Sequence, residues 1–250
     1  MKTETFEIKK TDGKTIRGFS FFADGEGKHD TVIVCHGFAS CYEEFYHHGE
    51  GFAKEGINAI FFDFCGGGPK VKSDGDMRAM SVLTEKEDLK VVLKSVQKWD
   101  CVNESRIFLM GESQGGFVAA HLATEMPEAI AGLILWYPAF NIPEACKKRL
   151  KEAKPDLFGF PVGTPYDQGG ASVDIYKELP KYKKPVLMLH GDHDQTVPPE
   201  VSKKALGLFP DPKLITLPGE GHGFEGKMSR RAEDLSVAFV KGNFLEVLMS

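Results

Sequence analysis

GESQGG, Gly111 to Gly116, follows the apolar run RIFLM (106–110) and leads into FVAAHLATEMPE, a segment of helical character. A lone serine thus sits between glycines where a buried strand turns into a helix. Glycines are ordinary at such a corner, so G-x-S-x-G carries little weight alone. Its meaning depends on what the rest of the chain places beside it.

Five further runs share the character of RIFLM: TVIVC (31–35), NAIFFDF (58–64), AGLILW (131–136), PVLMLH (185–190) and KLITL (213–217). Each is short and almost wholly apolar, the pattern of strands buried on both faces of a parallel sheet. Helical segments lie between them. TEKEDLKVVLKSVQKWD sets Thr84 and Glu87 at capping-box spacing and places Leu89, Val92, Leu93, Val96 and Trp99 on one face. YEEFYHHGEGFAKEG, PEVSKKALGLF and SRRAEDLSVAFVKGNFLEVL are the other candidates. Upstream, TFEIKK and TIRGFSFF flank Asp12-Gly13, a hairpin signal that predicts an antiparallel pair. The alternation implies a doubly wound α/β fold, with a mostly parallel sheet, an N-terminal antiparallel pair and helices on both faces. A length of 250 residues suits a single domain, 1–250.

One interval breaks the rhythm. From Tyr137 to about Tyr182 there is no strand-like run, but there are six prolines, several aromatics and the helix-like PEACKKRLKEA. Loops beyond about 12–15 residues are usually functional or disordered. This one is expected to form a small cap insertion over the strand ends. Its basic run KKRLKEAK (147–154) reads as the solvated face of one helix.

Composition excludes several classes. A formal net charge of −5 argues against a nucleic-acid partner, and no run approaches the roughly 18 apolar residues of a membrane span. The polar N-terminus lacks the apolar core of a secretory signal. Cys35, Cys41, Cys65, Cys101 and Cys146 are scattered without C-x-x-C, which suits a reducing compartment; a cytoplasmic protein is expected.

Ligands of an open α/β sheet bind beyond the carboxyl ends of its strands. The segments there are HGF after TVIVC, CGGG after NAIFFDF, GESQGG after RIFLM, GDHDQTVP after PVLMLH and PGEGHGF after KLITL. Ser113, Asp194 and His222 therefore share one rim, in that order. Order and placement resemble the α/β-hydrolase family over nearly the whole chain: GESQG matches its nucleophile elbow, and HGDHDQTVP and GEGHGF match its acid and histidine segments. The resemblance implies a serine hydrolase. A serine hydroxyl attacks only when a base takes its proton, the role implied for His222, oriented by Asp194. By the same resemblance, the backbone N–H groups of Phe38 and Gln114 form the oxyanion hole. No cofactor and no metal are implied.

Other residues compete for these roles. Asp192 is the alternative acid, but its place suits closure of a turn. His190, Asp192, His193 and Asp194 crowd together, yet no second ligand cluster accompanies them as a metal site requires. His36 and Asp63 read as structural members of the loop network. His47, His48 and His121 read as packed or surface residues, and Cys35 as a small core residue.

HGF, FFDFCGGG, SDGDM, GESQGG and IYKELPKYKKPV are, further, similar to bacterial cinnamoyl (feruloyl) esterases, with departures at Cys65-Gly66-Gly67 and PKVKSD. This implies cleavage of small hydroxycinnamoyl esters through an acyl-enzyme, with cap aromatics shaping the pocket. Phe140, Phe160 and Tyr166 are the substrate-binding candidates, with Phe158 and Tyr176 beside them. A peptidase or amidase, or a lipid or thioester hydrolase, of the same fold is the alternative. The expected partner is a small-molecule ester, with a homodimer left open.

Overall fold

The computed structural model describes residues 1–152, 154 and 156–249. In chain order the strands are β1 (Lys2–Lys9), β2 (Thr15–Phe22), β3 (His29–Cys35), β4 (Asn58–Phe62), β5 (Val102–Glu112), β6 (Gly132–Trp136), β7 (Asp156–Leu157), β8 (Phe160–Pro161), β9 (Val186–Gly191) and β10 (Pro212–Leu217). The helices are α1 (Gly49–Lys54), α2 (Val82–Val96), α3 (Gln114–Glu125), α4 (Ile142–Glu152), α5 (Thr164–Ser172), α6 (Ile175–Glu178), α7 (Glu200–Leu206), α8 (Gly226–Lys241) and α9 (Phe244–Met249).

Eight strands form one sheet in the order β1-β2-β4-β3-β5-β6-β9-β10. β2 pairs antiparallel with β1 and β4, and every other pairing is parallel. The α/β class and the N-terminal antiparallel pair expected from the apolar runs are thus the architecture observed. Each central strand feeds two cores through its period of two. Ile33, Leu109, Leu133 and Met188 face α2, α3, α7 and the 137–182 insertion. Val34, Met110, Ile134 and Leu189 face α1 and α8. Register brings the rim loops together: Cys35 pairs with Gly111 and Glu112 with Trp136, so the loops after β3, β5 and β6 leave the sheet side by side. Among the described residues, no helix is long and apolar enough to cross a membrane.

Four local readings need correction. The capping box of α2 is Ser81 with Thr84, three residues ahead of Thr84 with Glu87. The earlier start lets Val82 enter the core, where it is fully buried. The segment from Tyr42 is two single 3₁₀ turns before a short α1, because Asp63 accepts the Tyr42 N–H at 2.7 Å and pins the chain there. The insertion does contain strands: β7 and β8 pair antiparallel, across a turn where Phe158 and Gly159 take positive φ. The run 147–154 is not wholly solvated, though its residue 153 lies outside the described residues. Arg149 is buried, and its Nε donates to Asp167 Oδ1 at 2.8 Å, tying α4 to α5.

Candidate active site

Ser113 lies between β5 and α3 with φ 51° and ψ −116°. A side-chain-bearing residue in that conformation is strained and persists only where its surroundings over-determine it. Here they do. The Ser113 N–H donates to the Trp136 carbonyl at 3.0 Å, while its own carbonyl accepts from Phe117 and Ala139 N–H at 3.2 and 2.9 Å. The flanking glycines are needed for close approach. A Cβ on Gly111 would lie 2.3 Å from the Gly115 carbonyl oxygen, and one on Gly115 2.3 Å from that of Cys35. The elbow backbone therefore rests directly on the HGF loop. Gly115→Ala is expected to lower stability by about 1–3 kcal/mol, the usual penalty of overpacking. Urea unfolding of the two proteins measures it, and an unchanged midpoint would remove this account of the corner.

Ser113, His222 and Asp194 come together. Nε2 of His222 is 2.9 Å from Ser113 Oγ, and its Nδ1 is 2.8 Å from Asp194 Oδ2. With Nδ1–H donating to the carboxylate, Nε2 is left to accept the serine proton. Asp194 is buried, and its Oδ1 accepts from the N–H groups of Thr196 and Val197 at 2.9 and 2.8 Å. Burial pushes its carboxyl up. Hydrogen bonds from His190, His222 and the Val197 N–H outweigh this and hold it well below the usual range. It stays an anion.

The neighbouring candidates go elsewhere. Asp192 is partly exposed and accepts from the Gly219 N–H at 2.7 Å, closing the turn against the His222 loop. His193 bonds to Asp192, and His190 bonds to Ser202 Oγ and, through Nε2, to the Val197 carbonyl at 2.8 Å, with Asp194 Oδ2 3.3 Å from that same nitrogen. Among the described residues, no group of three or more His, Cys, Asp or Glu is arranged to hold a metal ion. His36 accepts the Phe64 N–H at Nε2, so its Nδ1–H donates to the Gly37 carbonyl, 2.8 Å away. Asp63 accepts from Tyr42 and Lys72 N–H. Both hold the loops in place, as the sequence led us to expect.

The N–H groups of Phe38 and Gln114 make no hydrogen bond among the described residues. That of Gln114 opens the twelve-residue α3, whose first N–H groups have no partner within the helix and carry partial positive charge. An anion beside Ser113 meets both the helix end and the HGF loop.

Ser113 stands where two spaces meet. One is a mostly apolar cavity of about 90 Å³ under the insertion, with Tyr166, Ile142, Cys146 and Arg149 in its wall. The other is a wider cleft of about 400 Å³ carrying Glu44, Glu112, Tyr137 and His222. Phe38, Phe158 and Thr196 border both. The aromatic candidates divide accordingly. The Tyr166 hydroxyl donates to Gln114 Oε1 at 2.7 Å, and Gln114 Nε2 donates to the buried Glu85, which fixes the side chain beside the serine. Phe160 borders neither space and packs edge-on against Phe38. Phe140, expected to bind substrate, is instead fully buried between Phe117 and Tyr176, where it fastens the insertion to α3 and borders neither space. Phe158, 71 % exposed on the β7–β8 turn, borders both of the spaces that meet at Ser113.

Two residues escaped the sequence reading. Glu112, the x of G-x-S-x-G, is buried, and burial pushes its carboxyl up to about 8 despite a 2.7 Å hydrogen bond from the Tyr137 hydroxyl. A carboxylate ending an apolar strand was the available signal. Tyr137 gave none, because its role depends on a backbone conformation.

A family model described as serine aminopeptidase, S33, matches residues 27–159, and one described as TAP-like protein matches residues 165–241. Est1E from Butyrivibrio proteoclasticus, solved with ferulic acid bound, superposes with a TM-score of 0.81 at 25% identity, covering 98% of this chain and 100% of that one. The bifunctional esterase/perhydrolase DCH of Acinetobacter calcoaceticus is 38% identical over 72 residues, 28% of this chain. An uncharacterized 31.7 kDa protein of Escherichia coli is 31% identical over 119 residues, 44% of this chain. These matches span only 26% and 38% of the two relatives' own lengths. With more than half of its length inside the first family model, its elbow, and its sheet order, the chain belongs to the serine aminopeptidase S33 family and is a hydrolase of the α/β-hydrolase fold.

Proposed function

We propose that the protein is a serine carboxylesterase that cleaves small esters, of the hydroxycinnamoyl type, through an acyl-enzyme. One observation carries this reading: a single imidazole bonds to both the Ser113 hydroxyl and the Asp194 carboxylate, beside two N–H groups that have no partner among the described residues. In the first half-reaction Ser113 Oγ attacks the ester carbonyl as His222 Nε2 takes its proton. The Phe38 and Gln114 N–H groups receive the oxyanion, and Asp194 stabilises the imidazolium. His222 then protonates the departing alcohol. In the second half-reaction it deprotonates a water that attacks the acyl-enzyme, and Ser113 leaves with the proton returned. No cofactor enters either step. The five cysteines are free, four of them buried, which favours a reducing compartment such as the cytoplasm.

Support for the substrate comes from the likeness to Est1E and from the two spaces at Ser113, one suited to an acyl group and the other to an alcohol. The cavity under the insertion, about 90 Å³, is smaller than the roughly 150 Å³ void that holds a benzene ring. An aromatic acyl group therefore extends into the mouth beneath Phe158. Methyl ferulate is expected to exceed long-chain acyl esters in kcat/KM, with EDTA present throughout. Phe158→Ala is expected to lower ferulate turnover about tenfold, the lower end of what one apolar contact discriminates, while sparing p-nitrophenyl acetate. Equal losses on both substrates would count against the assignment. The amidase alternative is favoured by the family description and by Glu44 in the wider cleft, where an amine would find a carboxylate. Turnover of aminoacyl anilides above that of aryl esters would establish it instead.

A further inference from the structure

We propose that Glu112 and Tyr137 form a positioning pair for the His222 imidazole, the carboxyl anchoring the phenol so that its ring supports the histidine edge. The inference rests on the reading of His222 as the base of a serine hydrolase.

The loop that carries His222 is anchored at Gly219, whose N–H donates to Asp192 Oδ1 at 2.7 Å, and at Glu220, whose carbonyl accepts the His193 N–H at 3.0 Å, but neither bond reaches the imidazole. Its sequence, PGEGHGF, sets glycines on both sides of the histidine, and the His222 side chain is partly exposed. Two hydrogen bonds, to Asp194 and Ser113, restrain the ring at its nitrogens. The Tyr137 ring restrains it elsewhere. Its centroid lies 4.8 Å from that of His222 at 60°, and 4.8 Å from that of Phe224 at 84°. Tyr137 is thus keyed between two side chains of the same loop, in the edge-to-face contacts aromatic rings favour.

The backbone is arranged for that contact. Tyr137 has φ 38°, a conformation that is a genuine outlier for a bulky residue and points to a functional constraint. Two bonds maintain it: the Tyr137 N–H donates to the Leu189 carbonyl at 2.7 Å, and the hydroxyl to Glu112 Oε2 at 2.7 Å. Glu112 is itself 1 % exposed, and its Oε1 has no partner among the described residues. A buried carboxyl with one idle oxygen is costly to keep charged, and burial raises its pKa to about 8. At neutral pH it is an uncharged acceptor for the phenol. Glutamine mimics that state.

The pair meets the base through the Tyr137 ring alone, so its loss is read in the rate more than in substrate affinity. Tyr137→Phe removes the anchor and keeps the ring; Glu112→Ala removes the acceptor; Glu112→Gln restores it. Tyr137→Phe and Glu112→Ala are expected to lower kcat for p-nitrophenyl acetate by on the order of tenfold, less than the hundredfold that a 1 Å misplacement can cost. KM should stay within about twofold, the sign that an interaction specific to the transition state has been lost. Glu112→Gln should recover most of the rate. The rate at which a fluorophosphonate labels Ser113 should fall in parallel, since it depends on the activated serine and on no particular ester. Wild-type protein that is never labelled would reject the serine-hydrolase reading itself. A labelled wild type with Tyr137→Phe equally fast, or a change confined to KM, would overturn the positioning role alone. If Tyr137→Phe does not fold, equal rates for Glu112→Gln and Glu112→Ala overturn it in the same way.

Discussion

Ser113→Ala is expected to lower kcat by about 10⁶-fold, the loss typical of removing a nucleophile whose partners work as a unit. The substitution deletes one oxygen. It leaves the Cβ that the corner already accommodates, and the three backbone hydrogen bonds that hold φ at 51° involve no side-chain atom of Ser113. The fold should therefore survive, and thermal melting should differ little from wild type. Without Oγ, His222 Nε2 loses its 2.9 Å partner and no acyl-enzyme forms. Residual hydrolysis would come from the Phe38 and Gln114 amides polarising a bound carbonyl toward water, roughly 10³–10⁴-fold above the uncatalysed reaction. Intact-mass spectrometry after fluorophosphonate treatment should show one adduct on wild type and none on the variant. An adduct that persists in Ser113→Ala, or full esterase activity, would reject Ser113 as the nucleophile.

Asp194→Asn should have the second-largest effect, up to about 10⁴-fold in kcat, through the tautomer of His222. An asparagine carbonyl can still accept from Thr196 and Val197, so the loop keeps its shape. The amide NH₂ then faces His222 Nδ1 where Oδ2 stood at 2.8 Å. It donates, Nδ1 must accept, and the ring proton moves to Nε2, which can no longer take the proton of Ser113. Stability carries a second signature. The folded-state pKa of Asp194 is depressed, so its ionised form stabilises the fold above pH about 4 and that contribution is lost as pH falls. The stability gap between wild type and Asp194→Asn should narrow on acidification, as urea titrations at several pH values would reveal. Asp192→Asn is the control. Asp192 is partly exposed and serves Gly219 and His193, so its rate should stay within about threefold, in keeping with the roughly 0.5 kcal/mol reach of surface changes. Effects in the opposite order would transfer the acid role to Asp192.

The two aspartates illustrate how much was legible in the chain. HGDHDQTVP places both at the end of a buried strand, and spacing alone leaves either free to face the histidine. Burial separates them, since Asp194 is 4 % exposed while Asp192 turns outward to the Gly219 loop. The cap aromatics were harder. Phe140, Phe158 and Phe160 share one residue type, yet one lies in the core, one borders the two spaces at Ser113 and one borders neither and packs against Phe38. Between Tyr137 and Tyr182 the period that would announce a side chain's direction is broken by prolines and short elements.

The sheet and its rim were written in the chain. Apolar runs of strand length, glycines at 111 and 115 and the order of Ser113, Asp194 and His222 are local facts, because strand burial, tight turns and rim loops each depend on a few adjacent residues. It took the folded molecule to establish that Glu112 is a buried acid bonded to Tyr137, that Arg149 is tied to Asp167, and that Phe140 belongs to the core. Each of these depends on contacts between segments 18 to 25 residues apart or on a packed neighbour from another element. Desolvation, pairing and orientation of such side chains are set by what the fold lays against them, and periodicity along one strand or helix holds no information about that.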